Sequence, residues 1–154
     1  MYNLINGFID FMQSPQNGFD FLGTVLSGNN TQEGPFLGVA PEGTEPPFMV
    51  FDIAGMPLWQ GFGGVGSVYA DQPQLMLHLY DTKPKRLVKN TEKLLAVMDV
   101  ADASDFDVSG IGMLPRTDNP VILHDPIYQN STRMYHAVVQ YGLHAINNRG
   151  VDNT

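Results

Sequence analysis

The sequence predicts an α+β fold: a mostly antiparallel sheet of about four strands, with an N-terminal helix and one long helix packed on it. Three observations predict it. The segment 82–101, TKPKRLVKNTEKLLAVMDVA, repeats its apolar residues at helical spacing. The segments 48–54, 67–81 and 132–146 place side chains on alternate faces with period two. The helical segments stand at the front and middle of the chain, with strands between and after them, which suits antiparallel pairing.

Each element has its own signal. Residues 2–13 form a helix with Leu4, Ile5, Phe8, Phe11 and Met12 on one face and Asn3, Asn6, Asp10 and Gln13 opposite. Ser14-Pro15 ends it. The apolar piece 19–26 is expected as one or two helical turns. Residues 27–47, rich in Gly, Pro and short polar residues, are expected as loop. FMVFDIA (48–54) is a strand. SVYADQPQLMLHLYD (67–81) is another, with Pro73 marking a break, a bulge or an edge. In it Leu75, Leu77 and Leu79 share one face, and Met76, His78 and Tyr80 the other. In the 82–101 helix Thr82 is placed to cap and Pro84 suits the first turn. Leu87, Thr91, Leu94, Leu95 and Met98 make its buried stripe; Lys85, Lys89 and Lys93 make an exposed one. After an acidic loop, NPVILHD (119–125) is a short strand and TRMYHAVVQYGLHAI (132–146) a long one.

The 154 residues suit one domain, 1–154, large enough to bury a core without staples. Cysteine is absent, so disulfides and thiolate metal sites are excluded. The start, MYNLINGFIDFM, lacks the basic region of a signal peptide, and no apolar run reaches the length of a membrane span, so no membrane partner is expected. The net charge of -8 argues against a general nucleic-acid binder. Five of the eight basic residues, Lys83, Lys85, Arg86, Lys89 and Lys93, fall within eleven positions. Such a stripe is a solvated face or a dock for an acidic neighbour, and the chain is itself acidic.

Several motifs suggest chemistry and fall short of it. WQGFGGVGSVY (59–69) contains Gly61, Gly63 and Gly66 at dinucleotide spacing. That turn must lead from a strand into a helix, and here strand-like sequence follows. The segment is expected as a long loop between two strands, with Trp59, Phe62 and Gly63 as contact residues. DFDVSG opens like a calcium loop through Asp105, Asp107, Ser109 and Gly110, yet its twelfth position is Arg116. His136 and His144 share a strand face eight residues apart, too far to meet on one ion, and the four histidines are expected as half-buried sheet residues. No nucleophile elbow or thiol is present. No cofactor, metal or catalytic residue is nominated.

The order of elements resembles the tail-completion, or tail-terminator, family of long-tailed bacteriophages and gene transfer agents. The resemblance spans roughly residues 2–146. It rests on the short apolar N-terminal helix, on APEGTEPPFMVFDIAG (40–55), on QLMLHLYDTKPKRLVKNTEKLLAVMD (74–99) and on DPIYQNSTRMYHAVVQYGLHA (125–145). It implies a structural virion protein at the head–tail neck, made in the host cytoplasm: a homohexameric ring that caps the tail tube, joins it to a head-closure or connector protein and lets DNA pass through its lumen. On that reading Trp59, Phe62, Gly63, Lys85, Lys89, Lys93, Tyr135 and Tyr141 are candidate interface residues. The lysines would face the acidic 99–107 segment of the next copy, and the 132–146 strand, if at an edge, would pair across the contact. Another neck component is the nearest alternative. A small metal- or nucleotide-binding enzyme is the alternative from a different class.

Overall fold

A computed structural model describes residues 2–54, 74–101, 103–106, 111–113, 121–129 and 132–145. The chain opens with helix α1 (Tyr2–Met12), followed by strands β1 (Thr24–Ser27), β2 (Asn30–Glu33), β3 (Phe36–Leu37), β4 (Phe48–Ala54) and β5 (Gln74–Asp81). Helix α2 (Pro84–Met98), a 3-10 turn (Ala103–Phe106) and strands β6 (Ile111–Met113), β7 (Val121–Gln129) and β8 (Thr132–Ala145) complete it. This is the α+β fold with an N-terminal helix and a long second helix on a mostly antiparallel sheet. Four long strands, β4, β5, β7 and β8, carry the sheet; the short β3 and β6 raise it to six.

Two expectations fail between residues 19 and 47. No helical turn forms at 19–26, and the following stretch is not all loop. Thr24–Ser27 and Asn30–Glu33 pair as an antiparallel hairpin, a two-stranded sheet of its own. Ser27-Gly28-Asn29-Asn30 reverses the chain, with Gly28 at φ 65°. A Gly-Asn turn is a hairpin signal, and a composition-level reading as loop passed over it.

The sheet runs β3-β4-β5-β8-β6, with β7 also on β8. Its ladders are antiparallel except β3 with β4. The fourteen residues of β8 take β5 along one side and β7, then β6, along the other. Among the described residues the longest strand therefore lies inside the sheet order and not at its edge, contrary to the edge role considered from sequence. Pairing between β7 and β8 shifts register between Leu123 and Ile127, a stretch that contains Pro126, which has no N–H to give the ladder.

Both helices pack on one face of the sheet. Leu4, Phe8 and Met12 of α1 and Leu87, Leu94 and Met98 of α2 meet Met49 and Phe51 of β4, Leu75, Leu77 and Leu79 of β5, and Ala137, Val139, Tyr141 and Leu143 of β8. Phe106 closes the end of this core, edge-on to Phe8 and Phe11. Gly7 is needed there: a Cβ on it would lie 1.7 Å from the Phe106 carbonyl oxygen. A second, smaller cluster of Val25, Phe36, Phe48, Val50 and Met134 covers one end of the opposite face.

Helix α2 starts differently from its sequence signal. Lys83, not Thr82, is the N-cap, and it makes no side-chain capping bond. The preceding strand supplies the acceptor instead. Asp81 is fully buried; its carboxylate accepts the Lys83 N–H at 3.1 Å and both Nε and Nη2 of Arg86 at 2.6 Å. A buried carboxylate is tolerated because a bidentate guanidinium and a backbone donor satisfy it.

Candidate functional site

The sheet face turned away from the helices carries the concentration of polar chemistry. The strand register sets it out. Across β4, β5 and β8 the directly opposed residues are Phe48, Tyr80 and His136 in one row, and Val50, His78 and Val138 in the next. Asp52, Met76 and Gln140 form the third. Diagonal neighbours two residues along a partner strand lie within reach of long side chains. The line Asp52, His78, His136 is such a diagonal.

The side chains realise it. His78 Nδ1 lies 2.9 Å from His136 Nε2. With ring centroids 5.0 Å apart and planes tilted by 22°, that separation places the two imidazoles edge to edge, joined by a hydrogen bond. His136 stacks face to face on Tyr80, centroids 4.3 Å apart and planes within 4°. Tyr80 in turn stacks on Phe48 at 5.0 Å. On the other side of His78, Nε2 approaches Asp52 Oδ2 to 3.6 Å. His78 is largely covered, with 16% of its side chain exposed, against 46% for Asp52.

Burial governs the protonation of this group. Desolvation lowers the pKa of His78, opposed by the Asp52 carboxylate. Desolvation, reinforced by the adjoining His78, lowers that of His136 to about 4. Burial, with Asp52 second, raises the Tyr80 phenol. At neutral pH both imidazoles are neutral, so each has one N–H and one lone pair. One tautomer runs the donors from His136 through His78 toward Asp52. The other directs the His78 Nε2 lone pair at the carboxylate.

Other sequence candidates fall elsewhere. Lys85, Lys89 and Lys93 are exposed along α2, as their spacing predicts. Tyr135 and Tyr141 share a face, but it is the helix side. Tyr135 is partly buried against the core; Tyr141 is 1% exposed and donates to Asp99 Oδ1 at 2.6 Å, tying β8 to the end of α2. Tyr141 is internal, so the structure removes it from any surface contact of the folded chain, whereas Tyr135 keeps part of its surface exposed. Trp59, Phe62 and Gly63, with Gly61 and Gly66, lie outside the described residues; the strands on either side, β4 and β5, pair with each other. Asp105 sits in the 3-10 turn, while Asp107, Ser109, Gly110 and Arg116 lie outside the described residues.

A groove of about 730 Å³ between α1 and the 3-10 turn is lined by Asn6, Asp10, Asn17 and Asp105 among others. It is broad and polar and presents no convergent set of reactive groups. Among the described residues no three or more of His, Asp and Glu converge as a metal-holding set, and no helix is long and apolar enough to cross a membrane. Sequence reasoning missed the His78–His136 pair. It tested histidines along one strand, whereas the pairing crosses two strands 58 residues apart. No protein-family profile matches the chain, and no curated protein or solved structure matches it.

Proposed function

We propose that the chain is a structural virion protein of the head–tail neck: a subunit of a homohexameric ring that caps the tail tube, joins it to the head connector and leaves a channel for DNA. The observation that carries the reading is the order of elements. An apolar N-terminal helix, a strand entered through Pro-Phe, a strand leading at once into a long helix, and a long C-terminal strand are the features on which the resemblance to tail-terminator proteins rests. The folded chain assembles them in that order on one sheet.

Charge and size support a ring. The lysine stripe of α2 is exposed on a chain whose net charge is -8, so copies have a basic face to set against acidic surface on a neighbour. Such a contact joins two different patches, and a heterologous contact that closes makes a ring. For a compact chain of this length the equivalent sphere is about 38 Å across, and six such spheres leave an opening about one sphere wide, ample for a duplex. The acidic total keeps DNA from adhering to the walls. Because β8 is interior, the contact is assigned to side chains of α2 and not to strand addition on β8.

The test is particle shape and mass in solution. Negative-stain imaging with light scattering is expected to give sixfold rings of about 102 kDa, six times the 17.0 kDa chain, alone or on addition of tail-tube protein. A monomer that stays monomeric with tubes present, or that carries bound nucleotide, overturns the reading and returns the enzyme alternative.

A further inference from the structure

We infer that the basic face of α2 docks on an acidic, partly apolar patch at the β3 edge of the sheet in a second copy of this chain. The inference rests on the ring reading and names the neighbour's half of its subunit contact.

The distribution of charge along the chain is the first argument. None of the eight Lys and Arg falls in residues 1–82, which hold eight of the sixteen Asp and Glu. Five bases then follow between Lys83 and Lys93. Folding keeps the two signs on different elements. Helix α2 lies over β5 and β8, whereas β3 and the turn that follows it stand beyond β4, at the end of the sheet order among the described residues.

The basic face is free to meet a partner. Arg86 is committed to Asp81, but Lys85, Lys89 and Lys93 are exposed and, among the described residues, enter no ion pair. Val88, 40% exposed, stands one turn beyond Lys85 and next to Lys89, an apolar spot among cations. Glu92 is the single acid of this helix.

The acidic patch is built on fixed backbone. Leu37 of β3 is 49% exposed and Val39 77%, and the Val39 N–H donates to the Leu37 carbonyl at 2.9 Å, which holds both in one turn. Gly38 between them lies against Asp52, where a Cβ would come within 3.8 Å of Oδ1. The next turn, Pro41 to Thr44, is closed twice on the Pro41 carbonyl, by the Thr44 N–H at 3.2 Å and by its hydroxyl at 2.7 Å. Ala40 packs on the small cluster, and a Cβ on Gly43 would lie 3.8 Å from Val25 of that cluster, so the turn is anchored to it. Glu42 and Glu45 are exposed on this turn and, among the described residues, are in no ion pair.

Each patch has what the other lacks: carboxylates around Leu37 and Val39 on one, ammonium groups around Val88 on the other. The match names a second copy as the occupant, and a contact between two different patches is heterologous, as a ring requires. The 99–107 segment considered from sequence suits the role less. Asp99 closes α2 itself and already accepts the Tyr141 hydroxyl.

Charge exchange tests the contact, read by sedimentation and negative-stain imaging under the conditions in which the wild-type chain forms rings. One variant carries Lys85→Glu with Lys89→Glu, the other Glu42→Lys with Glu45→Lys. All four positions are exposed, so each subunit is expected to keep its melting temperature within about 2 °C. Each variant alone is expected to associate at least about tenfold more weakly than the wild type at low salt, because like charges then face each other. An equal mixture is expected to recover assembly: the two reversed faces meet, the two unreversed faces meet, and the variants alternate around an even-numbered ring. Net charge alone cannot give this pattern, since (-8) - 4 = -12 and (-8) + 4 = -4, and weaker overall repulsion would help the second variant. Val39→Asp is expected to weaken assembly as well. A wild-type chain that never assembles overturns the ring reading and this contact together. A wild type that assembles while the Glu42→Lys, Glu45→Lys variant or Val39→Asp assembles equally well, or while the mixture fails to recover, overturns the contact alone.

Discussion

The histidine pair makes the stability of this chain dependent on pH in a way that one substitution isolates. In the unfolded chain both imidazoles take up protons near pH 6.5. In the fold, desolvation and the neighbouring His78 hold His136 neutral down to about pH 4, and His78 shifts in the same direction. Between those values the unfolded chain binds more protons than the folded one, so stability falls as pH falls through the window. Above about pH 6.5 nothing is lost from this source; below about pH 4 the loss levels off. Among the described residues, Asp52 and Tyr80 are the other titratable groups against the pair.

The full drop from 6.5 to about 4 corresponds to roughly 3 kcal/mol. His136 is only half-buried, and solvent screening removes about half of that, leaving about 1.5 kcal/mol. For a chain of this size 1 kcal/mol shifts the melting temperature by about 2–4 °C, so the pair accounts for about 3–6 °C between pH 7.5 and 4.5. His136→Phe keeps an aromatic ring over Tyr80 and removes the titration. Melting curves of both proteins at the two pH values are the assay: the wild type is expected to lose about 3–6 °C more than the variant, whatever their absolute temperatures. Parallel losses would refute the assignment, because the carboxylates common to both chains would then explain all the acid sensitivity. Imidazole proton NMR gives a second reading, with the His136 resonances expected to titrate well below pH 6.

Three further outcomes follow from named contacts. Asn90 is buried on α2 with no hydrogen bond from its side chain among the described residues, so Asn90→Leu is expected to raise the melting temperature by about 2–4 °C; a fall would show that Asn90 has a buried partner such as water. Gly7→Ala drives a Cβ into the Phe106 carbonyl, a backbone atom that cannot swing aside, and is expected to cost at least about 2 kcal/mol by thermal or urea unfolding; an unchanged melt would refute the close approach of α1 and the 3-10 turn. Lys85→Glu with Lys89→Glu is expected to leave the monomer folded and to weaken assembly more at 50 mM salt than at 500 mM, read by sedimentation; equal assembly at both would remove α2 from the subunit contact.

Most of the fold was legible because its signals are local and periodic. Leu87, Thr91, Leu94 and Met98 lie one helical face apart, and Leu75, Leu77 and Leu79 lie on alternate strand positions; burial follows each pattern. The misreadings arose where local chemistry has two solutions. Residues 24–33 are short, polar and largely exposed, so no apolar alternation marked them as strands; only the Gly28-Asn29 turn did. Thr82 has the side chain of a cap, but Asp81 sits closer to the core and meets Arg86 one turn on, so a burial-driven ion pair took over the start of α2.

The Asp52–His78–His136 line was illegible for a different reason. Each residue announces its own face: Asp52 alternates with Phe51 and Ile53, His78 with Leu77 and Leu79, His136 with Ala137. Which residues then meet depends on register, a relation between strands that no window along the chain contains. Register here is set by apolar matching on the opposite face, where Phe51, Leu77 and Val139 stand in one row and Met49, Leu79 and Ala137 in the next. A slip of two residues that set His78 opposite Gln140 would keep every leucine facing the helices and still separate His78 from His136. The polar line therefore exists because the core on the other side of the sheet packs best in one register. Its geometry is held by side chains it never touches.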